Sequence, residues 1–288
     1  TMSLSIIVKC LEGYLQETVE FLPFGLSDET LSQIYCSENR IFLMENLRFH
    51  SEETNYKQME QTTAMNVIQM LGNCYVNDAF GCLHRDHLSI NGINMKDKAF
   101  GYLVDKELKA LHKITQSNSS EKVLAIIGGG KMDDKLELLK KLSKKVDHIY
   151  IAGGNINSLL KNDMSDYLGI IESNKAKITL MEDGLCGTTF EDIPTYSNTK
   201  DLPKDSYFFD IGLKSLNTLY KLLETHDTIF WNGTLGVVEN ENYKNGSQLL
   251  VSMLIQTLKI HPHKTVIVGG GDTGGFVSNY NHNFTHVS

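Results

Sequence analysis

At 288 residues the chain is long enough for two ordinary domains, and its 41% hydrophobic and 22% charged residues are those of a soluble globular protein. A formal net charge of −8 and a pI near 5.7 argue against a nucleic acid or an anionic membrane as partner. Cys10, Cys36, Cys74, Cys82 and Cys186 are odd in number and lack a C-x-x-C pair, so neither a disulfide framework nor a zinc site is signalled. The run Ile6, Ile7, Val8 is too short for a secretory leader or a membrane span. The cytoplasm is the expected location, with no membrane and no nucleic acid as partner, and a monomer is expected.

Residues 1–97 carry few β signals. "IFLMENLRF" (41–49) begins as a buried strand, and "CYVNDAFG" (74–81) reads as a strand running into a loop. Between them Ala64, Val67, Ile68 and Leu71 mark one helical face, stopped by Gly72 and Asn73. Two strands are too few for a self-sufficient sheet, so this half is expected to be an incomplete domain. Residues 96–113 are helical in pattern, and "TQSNSSEK" (115–122) is polar and turn-rich.

From residue 123 onward short β-rich runs alternate with helical patterns. The runs are 123–127, 148–152, 177–180, 207–210, 228–231 and 265–268. Leu136, Leu139 and Val146 share a face between the first two, while Leu250, Met253, Leu254 and Leu258 do so between the last two. Six strands alternating with helices predict a mainly parallel sheet covered on both faces. The fold class is α/β: two Rossmann-like, three-layer domains with parallel sheets, the first incomplete. The predicted division is 1–97, a helix and linker over 98–122, a second domain over 123–275 and a return segment over 276–288.

Glycine-rich loops follow these strands. "VIVGGGDTGGF" (266–276) spells G-x-G-x-x-G, the dinucleotide fingerprint, but the chain ends fourteen residues after Gly274. No second strand is expected there, so a dinucleotide is set aside. A strand ending in bare amides still suits an anion. Taken singly, such a loop is a tight turn that needs glycine. However, "IIGGGKMDDK", "AGGN", "DIGLKS", "WNGTLGVVE" and "GGGDTGG" all follow strands, and ligands of parallel sheets bind at strand C-terminal ends. Lys131 and Lys135, four apart on the opening turns of a helix, fit equally an anion held between them or the solvated lysine-rich face that continues through Lys140, Lys141, Lys144 and Lys145. There is no G-x-x-x-x-G-K-[ST], hence no P-loop. "HRDHLSIN" (84–91) fits a protein-kinase catalytic loop by chance, since that family's other motifs are absent.

"LMENLRFHSEE", "YVNDAFGCLHRDH", "IIGGGKMDDK", "FFDIGLKS", "IFWNGTLGVVE" and "VIVGGGDT" together resemble the phosphoglycerate kinase family, in order and at plausible spacing. The resemblance implies one domain for 3-phosphoglycerate (1–97) and one for MgATP (123–275). It also implies reversible phosphoryl transfer between 1,3-bisphosphoglycerate and ADP in glycolysis. It assigns Arg48 and Arg85 to substrate phosphate, and Lys131 with Arg48 to the transferring group. Lys135 goes to nucleotide phosphate, Glu239 to the ribose hydroxyls and Asp272 to Mg2+. Gly130, Gly154, Gly212, Asn232, Gly270, Gly271 and Thr273 complete the nucleotide set. Arginine suits the substrate role because its planar fork binds phosphate bidentately.

The chain departs from the family pattern in several places. It starts after the family's R-V-D-F-N-V-P strand and stops before its T-G-G-G stretch, so as written it is expected to bind MgADP or MgATP with little turnover. Asn155, replacing a family glycine, is expected to crowd the base pocket. An alternative of another class is a catalytically silent nucleotide-binding or interaction module of the same fold.

Overall fold

The computed structural model describes residues 2–59, 62–115, 121–130, 132, 135–161 and 176–288. Two compact units emerge, Thr1–Glu107 and Leu108–Ser288, the division falling within the helix Tyr102–Thr115. Among the described residues no helix is long and apolar enough to cross a membrane.

Among its described residues the first unit holds four short strands rather than two. Strand β1 (Val19–Leu22) pairs in parallel with β2 (Ile41–Met44), and β3 (Cys74–Asn77) pairs in parallel with β4 (Asp97–Phe100). Sequence reading misses β1 because only Val19 and Leu22 are buried, and it assigns β4 to a helix because Asp97 and Lys98 break any apolar alternation. The helix Thr63–Met70 forms where Ala64, Val67 and Ile68 share a buried face, and the Thr62 hydroxyl caps it by accepting from the Met65 amide at 3.3 Å. A small core of Tyr56, Ala64, Ile68, Leu88 and Ile93 results.

In the second unit the strands are β5 (Val123–Ile127), β6 (His148–Ile151), β7 (Lys177–Leu180), β8 (Asp183–Gly187), β9 (Thr195–Asn198), β10 (Tyr207–Ile211), β11 (Thr228–Asn232), β12 (Thr265–Gly269) and β13 (His286–Val287). Six of them form one parallel sheet in the order β13-β12-β11-β5-β6-β7. All five residues of β5 are buried, as a central strand covered on both faces requires. The helix Asn245–Ile260 packs Leu250, Val251, Leu254 and Leu258 inward, each worth roughly 1.5–3 kcal/mol relative to exposure.

Two sequence expectations are corrected here. The run 207–210 is a strand, but β10 joins β8 and β9 in a separate antiparallel sheet, ordered β10-β8-β9. The sixth strand of the parallel sheet is instead β13. It returns beside β12 after the helix Gly271–Val277, so a strand does follow Gly274 and the terminal glycines open a βαβ unit.

The edge of the sheet opposite its glycine loops is closed by polar groups. Lys264, 6% exposed, donates to the carbonyls of Leu223, Glu224 and His226 at 2.7–2.9 Å, satisfying the C-terminal end of the helix Leu213–Thr225. Nearby, the buried rings of His148 and His226 meet edge to face at 5.6 Å, and His148 Nε2 lies 2.8 Å from the Thr179 hydroxyl. Burial, then the neighbouring His226 and Lys177, pushes His148 down to about 4; burial also lowers His226.

Because the fold refuses a proton that the unfolded chain accepts below about pH 6.5, this contribution is fully present above that pH and is lost as pH falls towards 4. Each pH unit removes about 1.4 kcal/mol for His148 alone. His148→Gln keeps a partner for Thr179 and is expected to flatten the loss, by roughly 2–3 kcal/mol between about pH 6.5 and pH 4.5. Urea unfolding at several pH values reads this directly, and an unchanged slope would contradict it.

Candidate nucleotide and phosphate site

The register of the parallel sheet brings its loops together. Ile127, Ile151, Asn232 and Gly269 are paired neighbours at the C-terminal ends of β5, β6, β11 and β12. The chain then breaks into glycine-rich loops whose backbones hydrogen-bond one another. The Gly128 amide donates to Asn232 O at 2.9 Å, the Gly129 amide to Thr234 O at 2.8 Å and the Asn155 amide to Gly129 O at 2.8 Å. A β-carbon on Gly128 would overlap the carbonyl oxygens of Gly233 and Thr234, so only glycine fits. Gly270 has φ +100°, which an L side chain rarely adopts.

The polar side chains hang from this backbone. Lys135 sits at the N-cap of the helix Leu136–Leu142 and its Nζ donates to Asn232 Oδ1 at 2.5 Å. Asn232 Nδ2 in turn donates to Gly269 O at 3.0 Å. The buried Thr273 hydroxyl accepts from the Gly233 amide at 2.9 Å, and the indole of Trp231 donates to Gly233 O at 2.7 Å. These bonds tie the loops after β5, β11 and β12 into one cradle. Asp272 stands exposed on the first turn of the last helix.

Two adjoining cavities follow from that arrangement. One of about 320 Å³ is lined by Lys135, Asn232, Asp272, Thr273 and the bare backbones of Gly129, Gly130, Gly233, Gly270 and Gly271. It shares Gly129, Gly130 and Thr234 with a second of about 560 Å³, walled by Gly154, Ser158, Tyr207, Phe208, Phe209 and Val237, with Glu239 on its lining. The first compartment suits anionic oxygens, with glycine backbone and a lysine on its lining. The second offers the apolar walls and few polar groups of a small-molecule site. Phe209 is fixed there by Tyr243, Phe190 and Tyr207 at centroid distances of 5.2, 6.2 and 6.4 Å. Asp272 inside the glycine loop would repel a bare pyrophosphate, so electrostatics rather than topology sets the dinucleotide apart.

Over its whole length, residues 1–288, the chain matches the family profile described as phosphoglycerate kinase. The phosphoglycerate kinase of Plasmodium falciparum is 33% identical over 325 residues, covering 99% of this chain and 76% of that protein. That of the onion yellows phytoplasma is 30% identical over 311 residues, with the same coverages. The chain belongs to the phosphoglycerate kinase family. Among solved structures, the phosphoglycerate kinase of Coxiella burnetii superposes with a TM-score of 0.76 at 25% identity, over 99% of this chain and 75% of that one. The Pyrococcus horikoshii enzyme shares the fold, with a TM-score of 0.79 at 21% identity over 99% and 76% of the two chains.

Of the residues that the family resemblance names, Gly130, Gly154, Lys135, Asn232, Glu239, Gly270, Gly271, Asp272 and Thr273 line the joined cavities. Lys131, and with it the expected pairing of the two lysines, lies outside the described residues, while Lys135 is the N-cap of the helix Leu136–Leu142. Gly212 is not part of the crevice. It lines a separate cavity of about 530 Å³ with Asp210, Ile211, Leu213 and Leu216, and a β-carbon there would overlap the Asp183 carboxylate. That carboxylate caps the helix Leu213–Thr225, accepting from the Ser215 amide at 2.8 Å and the Lys214 amide at 3.2 Å. Burial alone would raise Asp183, but the Ser215 and Lys214 hydrogen bonds hold it below the usual carboxylate range.

Asn155 is not on the lining of the apolar compartment either. Its Nδ2 donates to Gly128 O at 2.7 Å beneath the loops, and its buried Oδ1 has no hydrogen-bond partner. The aromatic wall of Tyr207, Phe208 and Phe209 is missed by sequence reading. Three consecutive aromatics in a strand cannot all face one core, which is the signal that could have found it.

In the first unit Arg48 is exposed on the turn Leu47–Phe49 after β2, and Arg85 is half-buried beyond the turn Phe80–Cys82 that follows β3. Asp86, in the chance kinase motif, is occupied structurally: Lys57 Nζ lies 2.6 Å from it, and Asn91 and the Tyr56 hydroxyl donate at 2.9 and 3.0 Å. The hydrogen bonds from Lys57 and Asn91 hold its carboxyl down to about 2.

The close approach at Gly128 gives a direct check. Gly128→Ala must push the 233–234 backbone aside, and a loss of roughly 1–3 kcal/mol is expected. Denaturant unfolding measures it, with Gly130→Ala, whose added β-carbon meets nothing within 4 Å, as the tolerated comparison.

Proposed function

We propose that this protein catalyses reversible phosphoryl transfer between 1,3-bisphosphoglycerate and ADP, as a cytoplasmic, monomeric enzyme of glycolysis. The observation that carries the reading is the junction of the two cavities. An apolar compartment with a carboxylate on its lining opens into a glycine-lined one holding a lysine and an aspartate. A nucleoside and its phosphates have this sequence of chemistries.

In this reading the base lies against Tyr207, Phe208, Phe209 and Val237, and Glu239 accepts from the ribose hydroxyls. The phosphates run along Gly129, Gly130, Gly270 and Gly271 with Lys135 and Thr273 beside them. Among the described residues no three His, Cys, Asp or Glu side chains cluster, so Asp272 would be the protein carboxylate on Mg2+. That fits this ion, which is commonly held by one or two carboxylates together with phosphate oxygens and water. When bound it neutralises phosphate charge. Lys131 and Arg48 are assigned to the transferring phosphoryl group, and Arg48 and Arg85 to 3-phosphoglycerate. Phosphoryl transfer asks chiefly for positioning and electrostatic stabilisation, so no general-base triad is required.

A coupled assay on the intact protein tests this, with turnover expected to require both ATP and 3-phosphoglycerate. Asp272→Ala and Lys135→Ala are expected to raise the nucleotide KM by about 10- to 100-fold, the size of one lost charge-assisted contact. Arg85→Ala should raise the 3-phosphoglycerate KM by a similar factor and leave the nucleotide KM alone. Nucleotide binding without turnover at saturating substrates would overturn the enzyme in favour of a silent binding module.

A further inference from the structure

Asp210 is a buried carboxylate that touches neither of the two joined cavities. It follows the aromatic wall directly on β10, where the pairing with β8 shifts register between Phe208 and Asp210. Only 1% of it is exposed. Oδ1 accepts from the Ile211 amide at 2.9 Å and Oδ2 from the Gly246 amide at 2.9 Å. Gly246 lies in the first turn of the helix Asn245–Ile260, whose N-cap, Lys244, provides no side-chain hydrogen bond. Such an amide lacks an intrahelical acceptor, and a carboxylate there is favoured by the helix dipole.

The same carboxylate is packed from two sides by backbone. A β-carbon on Gly236 would overlap Asp210 Oδ1 and the Tyr243 carbonyl, and one on Gly246 would overlap Asp210 Oδ1 and Ile211. Gly236 belongs to the segment between β11 and the helix, which places Thr234, Val237 and Glu239 on the apolar compartment. Further bonds hold that segment: the Val237 amide donates to Phe209 O at 2.9 Å and the Leu235 amide to the Ser247 hydroxyl at 2.9 Å. Tyr243, fully buried, packs its ring on Phe209. One side chain therefore sits where the aromatic strand, the Glu239 segment and the helix meet. Burial pushes its carboxyl up to about 7, a cost that the fold bears for this contact.

We propose that Asp210 is a positioning residue for nucleotide binding: its carboxylate clamps residues 235–246 against β10, which holds Val237 and Glu239 at the compartment wall. The proposal rests on the nucleotide reading of that compartment. A helix cap alone would lower stability and leave the affinity of the folded protein unchanged, and that difference makes the role testable.

Asp210→Asn keeps the shape and removes one of the two acceptor oxygens. It is expected to weaken MgADP binding by calorimetry about ten-fold, and to raise the nucleotide KM with the 3-phosphoglycerate KM unchanged. In the nucleotide-free protein, tryptic cleavage after Lys244 should become several-fold faster. Leu223→Ala, a buried truncation near the C-terminal end of the helix Leu213–Thr225, is the stability control and should move neither readout. Should Asp210→Asn fail to fold, Gly246→Ala displaces the same carboxylate without removing it, and the same two changes are expected. Wild-type affinity and wild-type cleavage in the variant that folds would overturn the role of Asp210. Wild-type protein without affinity for MgADP would overturn the nucleotide reading itself.

Discussion

The backbones after β5 and β11 approach more closely than any β-carbon permits, and the site of this protein depends on that contact. Gly128 lies against the carbonyls of Gly233 and Thr234, while the amides of Gly128 and Gly129 donate to Asn232 O and Thr234 O. The sheet makes this possible, because β5 and β11 pair in register to their last residues, Ile127 and Asn232. With the loops bonded to each other, the backbones of Gly129, Gly130, Gly233, Gly270 and Gly271 line one cavity. Lys135, Asn232 and Thr273 then act on a preset surface, each anchored to loop backbone by a hydrogen bond of its own, at Asn232 O, Gly269 O and the Gly233 amide.

Two buried carboxylates flank the site without entering it, and their environments set their different chemistry. Asp183 accepts from the amides of Lys214 and Ser215 and from the Ser215 hydroxyl, so it stays ionised below its ordinary range despite burial. Asp210 accepts from two amides only, and burial prevails, raising it to about 7. Both stabilise helix N-termini. Asp210 also abuts Gly236, which couples that helix to the aromatic strand.

The glycine-rich part of the candidate site was legible because its signal is local: a β-branched run that ends in bare glycine amides needs no tertiary contact to be recognised. Gly212 shows the limit of that signal. A glycine after a strand is required equally by a ligand and by a neighbouring carboxylate, here Asp183, and sequence spacing does not separate the two. Strands β8 and β9, "DGLCG" and "TYSN", were missed because glycine, aspartate and asparagine carry little β propensity and pairing with β10 supplies the stability instead. The two-residue β13 is shorter than any periodicity can register, so it is found only beside β12. In the first unit, β4 has every residue exposed and hence no pattern to read.

The central claim is that four loops from one sheet edge hold a single nucleotide. Amide hydrogen exchange with and without MgADP tests it most directly. Protection is predicted to rise together at residues 128–130, 153–155, 233–237 and 270–273, the loops that line or support the joined cavities. Protection confined to one of these loops, or falling instead around Gly212 and the separate cavity beside it, would contradict the account.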